Sequence, residues 1–132
     1  MKKFVVDAGV VLHLAERELR VANGVKLLAP TLIRSQVLSA LHEQVHRGKL
    51  APKVARERLG RIKQLRLRLL GDAHLQQHAM GIADRLGWAS TYDAEYLALT
   101  DLQADAFVTL NAKLARSARK VVPVAPIGRL LQ

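Results

Sequence analysis

The stretch FVTLNAKLAR, Phe107 to Arg116, decides how this chain is read. With Ala106 before it, it reads as a short apolar strand, Ala106 to Leu110, running straight into a basic helix, Ala112 to Arg119. In an open α/β sheet, ligands bind in the crevice outside the carboxyl ends of the strands. The residue at that position is Asn111, an amide where metal chemistry would favour a carboxylate.

Outward from this stretch the same alternation repeats. A strand from Lys3 to Val6 ends in Asp7 and leads into a helix through about Glu18, with Val10, Val11 and Leu14 on its apolar side. KLLAP, Lys26 to Pro30, is a very short strand stopped by proline. Thr31 to about Arg47 is amphipathic, with Ile33, Val37, Leu41 and Val45 at i+4 spacing, and Gly48 ends it. Pro52 opens a helix to about Lys63. In QLRLRLL the period changes: Leu65, Leu67 and Leu69 alternate with Arg66 and Arg68, which argues for a strand over a continuing helix. Asp72 is a plausible N-cap for a helix from Ala73 to Leu86 that stops at Gly87. Ser90 or Thr91 can cap a helix from Tyr92 to about Gln103, and a last strand, Val121 to Val124, follows the basic helix. Strands separated by helices imply a parallel sheet covered on both faces, a three-layer α/β/α sandwich in a single domain spanning residues 1–132.

Composition limits the chemistry. The chain has no cysteine, which excludes thiol catalysis, disulfides and Cys-ligated metal sites, and mildly favours a cytoplasmic location. No signal peptide is expected, because Asp7 breaks the apolar run after Met1-Lys2-Lys3, and no run approaches the ~20 apolar residues of a membrane helix. With 21 Lys+Arg against 11 Asp+Glu the net charge is +10, and a polyanionic partner is the natural inference, although a solvated basic surface would look the same. Aromatic residues are only 4% of the chain, which argues against base stacking on an aromatic platform and for contacts to phosphate.

Four positions fall at element ends: Asp7 after the first strand, Gln36 in the second turn of the helix that starts after Pro30, Asp93 in the first turn of the helix after GWAST, and Asn111 at the end of the fourth strand. The carboxyl ends of parallel strands share one edge, so these side chains can be neighbours. A cluster of carboxylates can hold Mg²⁺ or Mn²⁺ against a phosphodiester, and without metal it would repel itself. Taken singly, Asp7 and Asp93 suit helix capping and the helix macrodipole equally well. The combination carries the weight.

The pieces FVVDAGVVLHL, LLAPTLIRSQVLSALH, RGKL, TYDAEYLALT, ADAFVTLNAKLAR and VPVAP, in this order and over almost the full length, resemble PIN-domain proteins, specifically VapC-type toxin ribonucleases. The resemblance implies a short parallel sheet in an α/β/α sandwich, an acidic cluster that binds Mg²⁺ or Mn²⁺, and cleavage of RNA. It also implies a homodimer and a cognate antitoxin that holds the nuclease inactive. Asp7 matches the family's first aspartate and Asp93 the aspartate at the start of the later helix, which makes both the catalytic and metal-binding candidates. Where the family usually has a glutamate, this chain has Gln36. Where it has an aspartate, this chain has Asn111, offered as a third metal position, and Thr109 matches a hydroxyl often found beside it.

An amide still offers a carbonyl oxygen to a hard cation, but it carries no charge and cannot act as a general base. Three accounts follow: a weakened or dead site, replacement by other acids, or an amide introduced in place of an acid. The replacement candidates are Glu95 and Asp84, ahead of Asp101 and Glu43. Glu95 lies two residues from Asp93, about 200° round the helix, which disfavours chelation by the same face. His42 with His46 and His74 with His78 have the i, i+4 spacing of zinc ligands, but neither pair has an obvious third ligand, so both are read as surface histidines. Trp88 is read as a packing anchor at a helix–helix turn. Lys113, Arg116, Arg119 and Lys120 follow Asn111 and are the better candidates for holding RNA phosphates. A second basic group, from Arg47 to Arg68, faces an acidic antitoxin segment or solvent.

Overall fold

A computed structural model of the chain describes residues 2–131. In chain order it contains β1 (Lys2–Val6), α1 (Ala8–Glu16), β2 (Val25–Pro30), α2 (Ile33–His46), α3 (Pro52–Gln64), β3 (Arg68–Leu70), α4 (Ala73–Leu86), α5 (Tyr92–Gln103), β4 (Ala106–Val108), α6 (Ala112–Ala118) and a final 3₁₀ turn (Ile127–Leu130). The strands form one parallel sheet in the order β3-β2-β1-β4. Phe4 stands opposite both Leu27 and Ala106, and Val6 opposite Val108.

The chain leaves β1 toward β2 and β3, then crosses back to β4 on the far side of β1. Right-handed crossovers therefore put α1, α2 and α3 on one face and α4, α5 and α6 on the other. Both faces of the sheet are covered, and its strands accordingly read as unbroken apolar runs, with Phe4–Val6, Leu27–Ala29 and Ala106–Val108 all buried. Helix α5 lies against β1, β2 and β4 with α4 packed on its back. This explains why Ala94, Tyr96, Leu97, Ala98, Leu99 and Thr100 are all buried in one helix that lacks a polar face in its middle. The one buried hydroxyl, Thr100, is satisfied by donating to the Tyr96 carbonyl at 2.8 Å.

Helices α4 and α5 match the expected spans to the residue. Asp72 caps α4 by accepting from the Leu75 N–H at 2.9 Å, and Gly87 closes it at φ 70°, a left-handed position that suits glycine. At the next helix the Ser90 hydroxyl, and not Thr91, takes the Tyr92 N–H at 3.3 Å.

Other boundaries differ from expectation, for identifiable reasons. Helix α1 stops at Glu16 instead of Glu18, because Glu18 turns into the left-handed region at φ 53°. Arg61 fixes that end by donating to the Ala15 carbonyl at 3.1 Å and pairing with Glu18 at 3.0 Å. Arg61 therefore has a structural role within the basic group from Arg47 to Arg68. Helix α2 begins at Ile33, which moves Gln36 into the first turn. The strand expected from Leu65 is displaced to Arg68–Leu70, since α3 runs on to Gln64 and Arg66 sits at φ 53°. β4 ends at Val108 because β1 has no residue beyond Val6 to pair with Leu110. The last strand, Val121 to Val124, is reduced to a single parallel bridge between Val124 and Phe107. Pro123 lacks an N–H, so only its carbonyl joins the sheet, accepting from Phe107 at 2.9 Å.

Candidate active site

Helices that return antiparallel to a parallel sheet begin at the strands' carboxyl edge. That geometry brings Asp7 (end of β1), Gln36 (first turn of α2), Asp93 (first turn of α5) and Asn111 (start of α6) to one place. Together with Ala8, Gly9, Tyr96 and Leu114 they line a single open cavity of about 220 Å³. All four positions singled out in the sequence are present there.

Asp7 is held by two donors. Its Oδ1 accepts from the Val10 N–H at 3.1 Å, so it caps α1, and its Oδ2 accepts from the Thr109 hydroxyl at 2.5 Å. The Thr109 oxygen in turn accepts from the Asn111 N–H at 3.2 Å. The two readings of Asp7, helix cap and site residue, are therefore compatible: one carboxylate oxygen caps and the other faces the network. Asn111 also caps, its Oδ1 accepting from the Leu114 N–H at 3.0 Å. Asp93 is different: among the described residues its carboxylate has no hydrogen-bond or ion-pair partner.

Burial pushes the Asp7 carboxyl above its ordinary range; the Thr109 and Val10 hydrogen bonds oppose this, and the charge of Asp93 adds to it. Burial also raises Asp93. Neither carboxylate is paired with a lysine or arginine among the described residues. Two partly desolvated acids without a counter-ion, in a chain of net charge +10, make a local negative site that a cation would relieve.

Sequence reading missed Tyr96. It is buried at 1% exposure, its ring packs against Phe107 at 6.2 Å, and its hydroxyl donates to Gln36 Oε1 at 2.5 Å. Its hydroxyl is pushed far up by burial and then by the negative charges of Asp7, Asp93 and Glu95. The signal was present in the i+3 spacing of Asp93 and Tyr96, which puts both on one helix face.

The replacement acids do not complete a cluster. Glu95 is raised by burial and its charge reaches Tyr96, but it does not line the cavity. Asp84 is exposed near the end of α4. Asp101 is taken by His78 at 2.7 Å, and Glu43 by Ser39 at 3.0 Å and Arg47 at 3.6 Å. Among the described residues no group of three or more His, Cys, Asp or Glu side chains could hold a metal ion, which also disposes of the two histidine pairs as ligand sets. Two carboxylates and two amides are the donor set. Those oxygens suit a hard divalent cation by type and are short of negative charge for one. Lys113 and Arg116 on α6, and Arg119 just after it, are exposed and form no ion pair among the described residues.

No family model matches this chain, and no curated protein does. Among solved structures, the crystal structure of PAE2754 from Pyrobaculum aerophilum is similar, with a TM-score of 0.75 and 20% identity over 98% of this chain and 92% of that one. VapBC2 from Rickettsia felis, solved bound to a DNA fragment from their promoter, is similar with a TM-score of 0.70 and 9% identity over 94% of this chain and 98% of that one. At these identities the likeness carries the fold, which is α/β with a four-stranded parallel sheet and PIN-like.

Proposed function

We propose that the chain is a metal-dependent endoribonuclease toxin of a type II toxin–antitoxin pair, attenuated at two positions by Gln36 and Asn111. The observation that carries this reading is the meeting of Asp7, Asp93, Gln36 and Asn111 in one cavity at the carboxyl edge of a PIN-like sheet. The similarity to VapBC2 supports the toxin–antitoxin setting, and with it an antitoxin partner; a homodimer and a cytoplasmic location belong to the same reading. No described helix is long and apolar enough to cross a membrane.

In this reading Asp7, Asp93 and the Asn111 carbonyl hold Mg²⁺ or Mn²⁺, which when bound polarises the scissile phosphate and lowers the pKa of an attacking water. The chain's own residues do the rest. Thr109 and Val10 fix the Asp7 carboxylate so that it needs no rearrangement. Lys113, Arg116 and Arg119 neutralise flanking phosphates, contacts that position the strand without reading its sequence. Cleavage of an RNA panel with Mg²⁺ or Mn²⁺, abolished in Asp7→Ala and Asp93→Ala, is the expected result; a wild-type protein inert with both ions sinks this reading.

One observation favours a second reading, a catalytically silent PIN-fold module that binds antitoxin or RNA. Both amide oxygens already accept a hydrogen bond within the chain, Gln36 from Tyr96 and Asn111 from Leu114. RNA binding without cleavage, together with activity restored by Asn111→Asp, would identify that module as a degenerate nuclease.

A further inference from the structure

The chain has one tryptophan, two tyrosines and two phenylalanines. Phe4, Phe107 and Tyr96 are buried at 1%, 0% and 1% exposure. The remaining two, Trp88 and Tyr92, line the same cleft, a cavity of about 490 Å³ that also includes Gln36 and Asp93. Those last two residues also line the acidic cavity, so the two clefts adjoin. The Trp and Tyr surface this chain presents therefore lies beside Asp93. Trp88 does pack against the core, as its sequence position suggests, yet it remains only half-buried. Tyr92 is 60% exposed at the first residue of α5 and is not part of the core. A tyrosine left this open contributes little to packing, and a polar residue would serve the helix start equally well.

We propose that Trp88 and Tyr92 form a stacking subsite for one unpaired nucleobase of a single-stranded nucleic acid, next to the phosphate faced by Asp7 and Asp93. This rests on the nuclease reading for its substrate class. An aromatic face accepts any base, with little sequence preference. The low aromatic content argued against a stacking platform; the fold reverses that by concentrating the two available rings in one cleft. A duplex, whose bases are already stacked, gains nothing there, so the subsite selects single-stranded or looped substrate.

Trp88 is the only tryptophan, and its fluorescence reports this cleft alone. The test is a titration of the full chain in the presence of chelator, which prevents turnover, with a single-stranded RNA octamer, the same octamer as DNA, and the RNA as a duplex. Inorganic polyphosphate and polyglutamate serve as polyanions without bases. The single-stranded octamers are expected to quench Trp88 saturably, and the duplex, polyphosphate and polyglutamate are not. Tyr92→Ala should weaken octamer binding about tenfold with an unchanged melting temperature, and Tyr92→Phe should bind like wild type. Wild-type affinity in Tyr92→Ala, absence of octamer quenching, or equal quenching by polyphosphate overturns the subsite. Quenching by polyglutamate also overturns it and makes an acidic protein segment the occupant. Cleavage assays run in parallel keep the two readings apart. Intact cleavage without quenching removes only the subsite; quenching without cleavage at any metal concentration supports the subsite and removes only the nuclease reading.

Discussion

The Tyr96 hydroxyl donates to Gln36 Oε1 at 2.5 Å, joining α5 to the first turn of α2 across the carboxyl edge of the sheet. These residues are separated by 60 positions in the chain, and their bond closes one wall of the acidic cavity. It also occupies the amide oxygen that would otherwise face a cation.

Tyr96→Phe removes this donor and leaves the ring in place. Stability should fall by about 1 kcal/mol, the usual net value of such a bond. Freed of its donor, Gln36 should bind Mn²⁺ more tightly, read by titration calorimetry. An unchanged Mn²⁺ affinity would mean that Gln36 is not a cation donor.

Asn111→Asp should strengthen metal binding without disturbing α6, because aspartate caps a helix as well as asparagine does. In thermal unfolding at fixed Mn²⁺ the variant should gain more than wild type, since stabilisation grows as RT ln(1 + [L]/Kd). Gln36→Glu should act in the same direction. Equal metal-induced shifts in wild type and both variants would count against a shared cation site.

Asp7 and Asp93 both titrate above their ordinary 3.8 in the folded chain. Their contribution to stability is therefore fully present below that value and is lost as pH rises through the folded-state values. Asp7→Asn keeps the Val10 cap through its amide oxygen, turns the Thr109 contact round so that the amide donates to the hydroxyl, and removes the charge. It should be more stable than wild type at pH 7 by roughly 1 kcal/mol, about 3–6 °C in melting temperature. The gap should close below about pH 4, where the wild-type carboxyl is neutral. Chemical unfolding at the two pH values checks the sign, and a constant gap would refute it.

Thr109→Val removes the donor that opposes the rise of Asp7. The Asp7 carboxyl should move further up, so metal binding should fade at a higher pH than in wild type. The Mn²⁺ affinity measured across a pH series checks this; superimposable profiles would show that Thr109 does not tune the carboxylate.

Phe107→Ala should cost about 3–5 kcal/mol, the usual range for a fully buried phenylalanine. Because the ring also supports Tyr96 at 6.2 Å, the Tyr96→Phe and Phe107→Ala effects should be non-additive in a double-mutant cycle. Strict additivity would mean that the two rings do not share a packing unit.

Most of the fold was legible in sequence because its signals are local and strong. Apolar runs such as Phe4–Val6 and Ala106–Val108 mark strands buried on both faces, and Asp72 and Gly87 punctuate α4 at both ends. What failed was set by partners distant in the chain: Arg61 fixes where α1 stops, and the length of β1 decides where β4 stops.

The sequence by itself determined the alternation of strands and helices, the absence of thiol chemistry, and which polar residues stand at strand and helix ends. Sequence also carried the amides Gln36 and Asn111, at positions where the family resemblance implies acids. Only the tertiary structure decided that these four residues share one cavity, that Tyr96 and the Leu114 N–H occupy the two amide oxygens, and that Trp88 and Tyr92 share a cleft with Gln36 and Asp93. The physical reason is topological. Crossovers of a parallel sheet gather positions as far apart as Asp7 and Asn111 at one edge, and no local pattern encodes what a side chain meets there.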